Sequence, residues 1–166
     1  MKINIASVLR NDGASQSFTG SVELGTVVYM GSTISFEGPL AVSGKVINIG
    51  GTLEISADIS GSYKTECSRC GVPVTENFSA ELFESIENDF SDIDEECITI
   101  SGNVMDISGS IDACIFGNIP MQFLCKEDCK GLCPECGINL NENECNCDTT
   151  VYDPRFAIFR NLSKEV

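Results

Sequence analysis

The chain of 166 residues is 42% hydrophobic and 21% charged, which predicts one compact globular unit whose core does not need cross-links to be stable. Its formal net charge is −15, from 10 basic and 25 acidic side chains. Such a charge disfavours direct binding to bare RNA, whose phosphates are neutralised by Lys and Arg, and the absence of histidine excludes Cys–His catalysis.

The sequence contains no pattern for membrane insertion or export. The opening stretch MKINIASVLRNDG lacks the apolar run of a signal peptide, and no segment approaches the roughly 18 uninterrupted apolar residues of a membrane helix. We therefore expect a cytoplasmic protein without membrane contact. Because the cytosol is reducing, the ten cysteines are expected to bind metal or carry out redox chemistry rather than form disulfides.

Short strands are expected in the first part of the chain. Residues 2–5 and 25–30 have brief apolar patterns, and residues 40–49, LAVSGKVINI, alternate weakly. The rest of the first 34 residues carries little periodicity, so it predicts no further element.

The clearest pattern lies in residues 52–67, TLEISADISGSYKTEC, where apolar and polar residues alternate. A period of two predicts a strand with one buried and one solvent-exposed face, and Gly61 is expected to mark a bulge. The pair Gly50-Gly51 suits a two-residue hairpin turn because glycine readily adopts positive φ. Residues 72–83 alternate again, so the three runs predict an antiparallel meander.

An acidic segment follows. Residues 76–97 carry nine acidic and no basic side chains, and we interpret 87–97 as an exposed acidic connection. The carboxylates of 87–96 would suit a Mg²⁺ site of a nuclease only if a framework converged them, so a solvated face is the favoured interpretation. The charge fits a basic protein partner.

Two further patterns flank the cysteine-rich part of the chain. Residues 98–104, ITISGNV, alternate and predict a fourth strand, whereas residues 106–120 have apolar residues at helical spacing and predict a helix capped by Asp106. Residues 153–162, DPRFAIFRNL, begin like a second helix, with aspartate at the cap and proline in the first turn.

Eight of the ten cysteines form four close pairs. The pairs are Cys67/Cys70, Cys125/Cys129, Cys133/Cys136 and Cys145/Cys147. Two pairs share the motif C-x-x-C-G, a turn that wraps both sulfurs around one ion, and its glycine is expected to adopt positive φ. Backbone N–H groups in such turns can stabilise thiolate charge. Cys97 and Cys114 are unpaired within apolar patterns, so we predict that they are packing residues.

Four thiolates in a tetrahedral arrangement suit Zn²⁺. Without histidine a closed site must consist of four cysteines, and eight paired thiols would bind one or two zinc ions. Short loop closure favours one site from the two C-terminal pairs and another from the first two pairs. The two C-x-x-C-G turns could instead share an ion, as in a zinc ribbon, or a single site could leave the other thiols free.

Closed sites predict a structural metal, because a catalytic zinc keeps an open position and needs a nearby acid or base. Metal binding would then contribute to the folding of residues 125–150. An iron–sulfur carrier would use the same thiolates. A zinc-thiolate redox sensor or chaperone-like switch, which releases zinc when its thiols oxidise, is the main alternative function.

The segments ECSRCG (66–71), IPMQFLCKEDCKGLCPECGINLNENECNC (119–147) and DPRFAIFRNL (153–162) resemble the YceD family, the large ribosomal RNA subunit accumulation proteins. The resemblance covers about residues 40–162 and is specific at 125–162, where it is to the Gram-positive branch. Cys67 and Cys70 match the family's central knuckle, and the six loop cysteines match its C-terminal pairs. Other matching positions are Gly131, Leu132, Asn139, Leu140, Asp153, Arg155 and Phe156.

We interpret the matching Leu132, Leu140 and Phe156 as packing residues and Asn139 as a residue that turns a loop, whereas Arg155 would bridge to an acid or contact a partner. The resemblance implies a non-enzymatic accessory factor in the accumulation or processing of 23S ribosomal RNA. Together with the charge, it favours a basic ribosomal protein or large-subunit assembly factor as the partner.

These observations predict an α+β fold in two parts. Residues 1–120 would form an antiparallel sheet domain with one short helix. Residues 121–166 would form a Cys-rich zinc-binding lobe that ends in the C-terminal helix.

Overall fold

The computed structural model describes residues 1–87, 93–94 and 97–147. These residues form ten strands and two short helices, so the predicted antiparallel sheet with short helices is confirmed. In chain order the elements are β1 (Lys2–Asn4), α1 (Ala6–Leu9), β2 (Ser15–Val22), β3 (Thr26–Tyr29), β4 (Ser32–Phe36), β5 (Leu40–Ile49), β6 (Thr52–Glu66), β7 (Pro73–Glu87), β8 (Ile93–Asp94), β9 (Thr99–Ser101), β10 (Val104–Asp106) and α2 (Ser108–Asn118).

The larger sheet is built around the hairpin of β6 and β7, two strands of 15 residues that pair along their whole length. On the other edge of β6, β5 pairs with residues 52–60 and β4 pairs with residues 63–64. β2 extends the sheet beyond β5, and β3 extends it beyond β4. Gly50 and Gly51 form the turn between β5 and β6 with φ of 60° and 88°, as the sequence predicts.

The prediction of a bulge at Gly61 is wrong. The pairing of β6 with β7 continues without interruption through Gly61 opposite Phe78. Gly61 instead lies where β6 exchanges its neighbour β5 for β4, and a Cβ at this position would overlap the side chain of Leu40. The glycine is therefore required by close packing rather than by an extra residue in the strand.

The prediction of one strand over residues 98–104 is also wrong. The chain turns at Gly102, with φ of 59°, and β9 and β10 form a tight hairpin with Ser101 opposite Val104. Alternation is the same in one strand and in two strands joined by a short turn, so this pattern could not distinguish them. β8, within the predicted acidic connection, pairs with β9, and β1 pairs with β10.

The helix predicted over residues 106–120 is α2. The Asp106 Oδ1 atom accepts hydrogen bonds from the Ser108 N–H group at 3.0 Å and from the Met1 ammonium at 3.1 Å. The bonds from Ser108, followed by that from Met1, lower the pKa of Asp106 to about 2. The prediction that Asp106 is the cap is wrong, because the N-cap residue of α2 is Ile107 and makes no side-chain cap hydrogen bond. Asp106, one residue earlier, still accepts from a free N–H group in the first turn.

One face of the larger sheet is buried against α2, α1 and the smaller sheet. Alternate residues of β4, β5, β6 and β7 supply most of this core, as the period of two predicts. Ile111 and Ile115 of α2 and Met105 of β10 are fully buried in it. The opposite face of the sheet carries mostly polar side chains. Because β6 and β7 pair along their whole length, they form a rigid base for the turn that joins them at residues 67–72.

The structure confirms some of the remaining predicted elements, adds elements that were not predicted, and leaves others untested. Residues 2–5 and 25–30 contain β1 and β3, whereas α1, β2 and β4 have no predicted counterpart because their sequences lack clear periodicity. The helix predicted at 153–162 lies outside the described residues, and the division of the chain at residue 120 stays a prediction. No helix among the described residues is long and apolar enough to cross a membrane.

Candidate metal centre

The first C-x-x-C-G motif forms the tip of the β6–β7 hairpin. The Cys67 N–H group donates to the Val72 carbonyl at 2.8 Å, and the Gly71 N–H group donates to the Cys67 carbonyl at 2.9 Å. Gly71 has a φ of 71°, as expected for the residue after the second cysteine. Because two long paired strands enter and leave this turn, the sheet holds the pair Cys67/Cys70 in place.

A later segment brings two more cysteines against this tip. The sulfurs of Cys67, Cys70, Cys125 and Cys129 all lie within 4.8 Å of one another, and we call them the first cysteine group. The distance from Cys67 Sγ to Cys129 Sγ is 3.8 Å, and that from Cys70 Sγ to Cys125 Sγ is 3.6 Å. Cys67, Cys70 and Cys129 are only 3%, 6% and 3% exposed. These three cysteines therefore form a small core of their own at the end of the sheet, whereas Cys125 is exposed.

Hydrogen bonds favour the thiolate form at two of these cysteines. Burial raises the pKa of Cys67, but backbone N–H groups, of which Arg69 is the strongest, outweigh burial and lower it to about 6. Burial also raises the pKa of Cys129, but hydrogen bonds to its sulfur lower the pKa by more than burial raises it. The strongest of these bonds comes from the Asn141 side chain, which donates to the sulfur at 3.3 Å. Desolvation and the neighbouring sulfurs raise the pKa of Cys125 to about 12, since adjacent negative charges oppose ionisation.

The two residues between Cys67 and Cys70 hold the later segment in position. The Ser68 N–H group donates to the Phe123 carbonyl at 2.8 Å, and the Ser68 hydroxyl accepts from the Phe123 N–H group at 3.1 Å. Arg69 Nη1 donates to the Cys129 carbonyl at 2.9 Å. Sequence reasoning missed both residues, although polar residues inside a knuckle could have indicated such contacts.

The four remaining paired cysteines form a second cysteine group. The sulfurs of Cys133, Cys136, Cys145 and Cys147 lie within 4.8 Å of one another. The turn repeats the geometry of the first, because the Gly137 N–H group donates to the Cys133 carbonyl at 2.9 Å. Gly137 has a φ of 73°.

The second cysteine group is more accessible than the first. Cys133 is 2% exposed, whereas Cys136 is exposed, and Cys145 and Cys147 are each at least partly accessible to solvent. Backbone N–H groups of Cys136 and Glu135 lower the pKa of Cys133 to about 7. The turn therefore favours the thiolate form of the buried Cys133, while Cys136 and Cys147 lie at the protein surface.

A short link joins the two groups. Only residues 130–132 separate Cys129 of the first group from Cys133 of the second. The Leu132 N–H group donates to the Arg69 carbonyl at 3.2 Å, and the Leu140 N–H group donates to the Gly131 carbonyl at 3.0 Å. The link is thus bonded on one side to the hairpin tip and on the other to the loop of the second group.

Gly131 is expected to be sensitive to substitution at this contact. It has a φ of 76°, and a Cβ there would lie 3.1 Å from the Arg69 carbonyl oxygen. We expect Gly131→Ala to lower the free energy of unfolding of the metal-loaded protein by about 2 kcal/mol, from the left-handed backbone and from the tight contact. Thermal or denaturant unfolding would measure the loss.

Gly137→Ala is the matched control. Its φ is similar, but a Cβ would meet no atom within 4 Å, so this variant should lose only the backbone contribution of about 1 kcal/mol. Equal losses in the two variants would show that the link does not press against the hairpin tip.

The geometry of the first group fits a tetrahedral metal ion. In a tetrahedron with metal–sulfur bonds of about 2.3 Å the sulfurs are about 3.8 Å apart, close to the 3.6 and 3.8 Å distances in this group. These distances far exceed the roughly 2.05 Å of a disulfide bond. The two groups follow the arrangement that short loop closure favours, and each could hold a metal ion.

The other residues singled out in the sequence are distributed as follows. Cys97 and Cys114 lie outside both groups, half-buried against the main core, as predicted. The prediction that Leu132 packs in a core is wrong: its side chain is 44% exposed, and its backbone N–H group makes the contact. Asn139 turns its loop, because its Oδ1 atom accepts from the Asn141 N–H group at 3.0 Å. The positions outside the described residues are Asp153, Arg155 and Phe156.

Comparisons with known proteins point to one family. The family profile described as large ribosomal RNA subunit accumulation protein YceD matches residues 55–163. A protein of Arabidopsis thaliana named large ribosomal RNA subunit accumulation protein YCED homolog 1, chloroplastic, is 32% identical over 62 residues, which are 37% of this chain and 19% of that protein.

Proteins of Mycobacterium tuberculosis and Mycobacterium bovis, both described as uncharacterized, are 27% identical over 108 residues. The matched part is 62% of this chain and 52% of each mycobacterial protein. The chain therefore spans about half the length of these relatives and about a fifth of the plant protein. No solved structure matches the chain.

Proposed function

Because the chain belongs to the YceD family of large ribosomal RNA subunit accumulation proteins, we propose that it is an accessory factor that promotes the accumulation of 23S ribosomal RNA in the cytoplasm. The observation that carries this proposal is the match over residues 55–163. That range includes most of the β6–β7 hairpin and all eight cysteines of the two groups. The role is one of binding rather than catalysis.

Zinc is the metal proposed for both groups. The donors are all thiolates, in a chain without histidine, and the sulfur–sulfur distances in the first group suit tetrahedral coordination. Bound zinc would act as a cross-link with no open coordination position. The chain's own contribution is to orient the sulfurs by tight turns and to stabilise their charge with backbone N–H groups.

A basic protein is the proposed partner. Two zinc–tetrathiolate sites at −2 each would take the formal charge from −15 to about −19, which makes direct attraction to bare RNA unfavourable. Ribosomal proteins and assembly factors with many Lys and Arg residues would be attracted instead. The chain would therefore act on the RNA through such a protein.

Deleting the gene in the organism that encodes this chain tests the function. We expect the deletion to lower the ratio of 23S to small-subunit ribosomal RNA, because assembly of the large subunit would lack this factor. Wild-type protein and the matched variant Cys114→Ser should restore the ratio, whereas Cys67→Ser should not. Quantitative RNA blotting measures the ratio, and an unchanged ratio in the deletion strain would refute the proposed function.

A zinc-thiolate redox sensor is the second candidate. It is favoured by the exposure of Cys136 and by the adjacent C-x-C pair Cys145/Cys147, which an oxidant could reach. The rate and reversibility of zinc release under mild peroxide distinguish this function from a purely structural role of the metal.

A further inference from the structure

The outer face of the larger sheet is open. Within the described part of the chain, α1, α2 and the smaller sheet pack on the inner face, and no helix or strand covers the outer one. Small hydroxyl side chains dominate this face along β2 and are frequent along β6, whereas β5 contributes only Ser43 of this kind. A sheet face of this kind can remain solvated in a stable protein, so the exceptions to its polarity are informative.

Phe83 is the aromatic residue among the exposed apolar side chains of this face, which also include Val28 and Ile49. Phe83 belongs to β7, lies opposite Ser56 of β6 and is 67% exposed. Its neighbours on β7, two residues away on either side, are Glu81 and Ser85. A large aromatic side chain that stays exposed contributes little to the stability of the folded chain. Aromatic residues commonly anchor protein interfaces, which gives a reason for one at this position.

Carboxylates surround Phe83. Asp58 lies directly opposite Glu81, and Glu54 lies opposite Ser85. In the described part of the chain, neither Asp58 nor Glu81 forms a salt bridge. Like charges directly opposite one another destabilise a pair of strands, so this arrangement costs stability that a bound cationic group would recover.

The face is also concave beside Phe83. A shallow cavity of about 510 Å³ is lined by Phe83, Asp58 and Glu81 together with Lys45 and serine side chains. A second cavity of about 420 Å³ adjoins it at Asp58 and Glu81 and reaches Asn118 at the end of α2. The two cavities meet at Asp58 and Glu81, so a shallow depression runs across β5, β6 and β7 beside the aromatic ring.

We propose that this outer face, centred on Phe83, docks a Lys- and Arg-rich extended segment of a basic protein. The proposal rests on the proposed function, in which the partner is a basic ribosomal protein or assembly factor. Phe83 would contact the aliphatic stems or guanidinium groups of the segment, and Asp58 and Glu81 would pair with its charges. RNA would be repelled by these carboxylates, as would the same face of a second copy of this chain.

The test measures binding of the full-length, zinc-loaded chain to a panel of purified basic proteins of the large ribosomal subunit. The variants are Phe83→Ser, the double variant Asp58→Asn with Glu81→Gln, and the control Val104→Ser. Val104 is also an exposed apolar residue, but it lies on β10 of the smaller sheet. Thermal unfolding should be nearly unchanged in Phe83→Ser and Val104→Ser, because both side chains are exposed.

We expect wild type and Val104→Ser to bind at least one protein of the panel with equal affinity. Phe83→Ser should raise the Kd about tenfold or more, as for an interface anchor. The amide double variant should raise the Kd and also flatten its dependence on salt, because two ionic contacts are removed. A photo-crosslinking amino acid at position 83 should attach to a Lys- and Arg-rich peptide of the bound protein.

The outcomes separate the two proposals. If wild type binds no protein of the panel, the basic-partner proposal and this docking surface both fail. If wild type binds and Phe83→Ser binds equally well, the partner proposal stands and the docking surface is refuted. Crosslinking from position 83 to RNA or to a second copy of the chain would also refute it.

Discussion

Replacing Cys67 by serine is expected to remove the metal of the first cysteine group and to unfold the cysteine-rich part of the protein. Cys67 is 3% exposed, and its sulfur lies 3.8 Å from that of Cys129. A structural zinc site contributes on the order of 10 kcal/mol to folding in small zinc peptides, so the loss of one buried thiolate ligand should cost at least about 3 kcal/mol.

Elemental analysis and thermal unfolding of the reduced protein measure this effect. Wild type should contain two zinc ions per chain, and Cys67→Ser no more than one, with a clearly lower Tm. We expect the second group to be weakened as well, because the Arg69 carbonyl beside Cys67 holds the link through the Leu132 N–H group.

Cys114→Ser is the matched control for this variant. Cys114 lies outside both groups, and its sulfur donates to the Glu81 carbonyl at 3.6 Å, a bond that a serine hydroxyl can replace. Its zinc content and Tm should stay close to those of wild type. If Cys67→Ser kept two zinc ions and the wild-type Tm, the first group would not be a metal site.

Oxidation is expected to release the metal of the second cysteine group well before that of the first. In the first group three thiols are buried and Cys125 is exposed, whereas in the second group only Cys133 is buried. Because an oxidant must reach the thiolate to react, mild peroxide should release zinc in two phases whose rates differ by about tenfold or more. A zinc-binding dye follows the release, and near-ultraviolet circular dichroism follows the fold.

Cys145→Ser isolates the two phases. It removes a ligand of the second group only, so the fast phase should disappear while the slow phase keeps its rate. Release in one phase from wild type would contradict the difference in accessibility. If zinc is released fast, binds again after the thiols are reduced, and leaves the β-sheet intact throughout, the redox sensor would be supported as the function of the second group.

The sheet itself could be predicted because its signal is local. Along β6 the alternation of Leu53, Ile55, Ala57 and Ile59 with polar residues needs only a period of two to be recognised. The Gly50-Gly51 turn was likewise predictable, since two residues at positive φ suit a tight hairpin. Gly61 was not, because its reason is the side chain of Leu40, which lies 21 positions earlier in the chain.

In the candidate metal centre, too, some features could be predicted from the sequence and others could not. Cysteine pairs a few residues apart, and the positive φ of the glycine after each C-x-x-C turn, follow from local geometry. The bonds of Ser68 and Arg69 to the later segment join residues about 55 to 60 positions apart. Polar residues inside the knuckle indicate that a contact is made, but no local pattern identifies the distant segment that makes it.

By itself the sequence determined the types of ligand, the absence of histidine from the site, the strongly negative charge and the alternation of the long strands. Only the tertiary structure decided that eight cysteines form two groups of four, that three thiols are buried in the first group but only one in the second, and that Phe83 and its carboxylates share an uncovered face. The physical reason is that spacing and periodicity act over a few residues, whereas grouping, burial and exposure depend on which distant segments pack together.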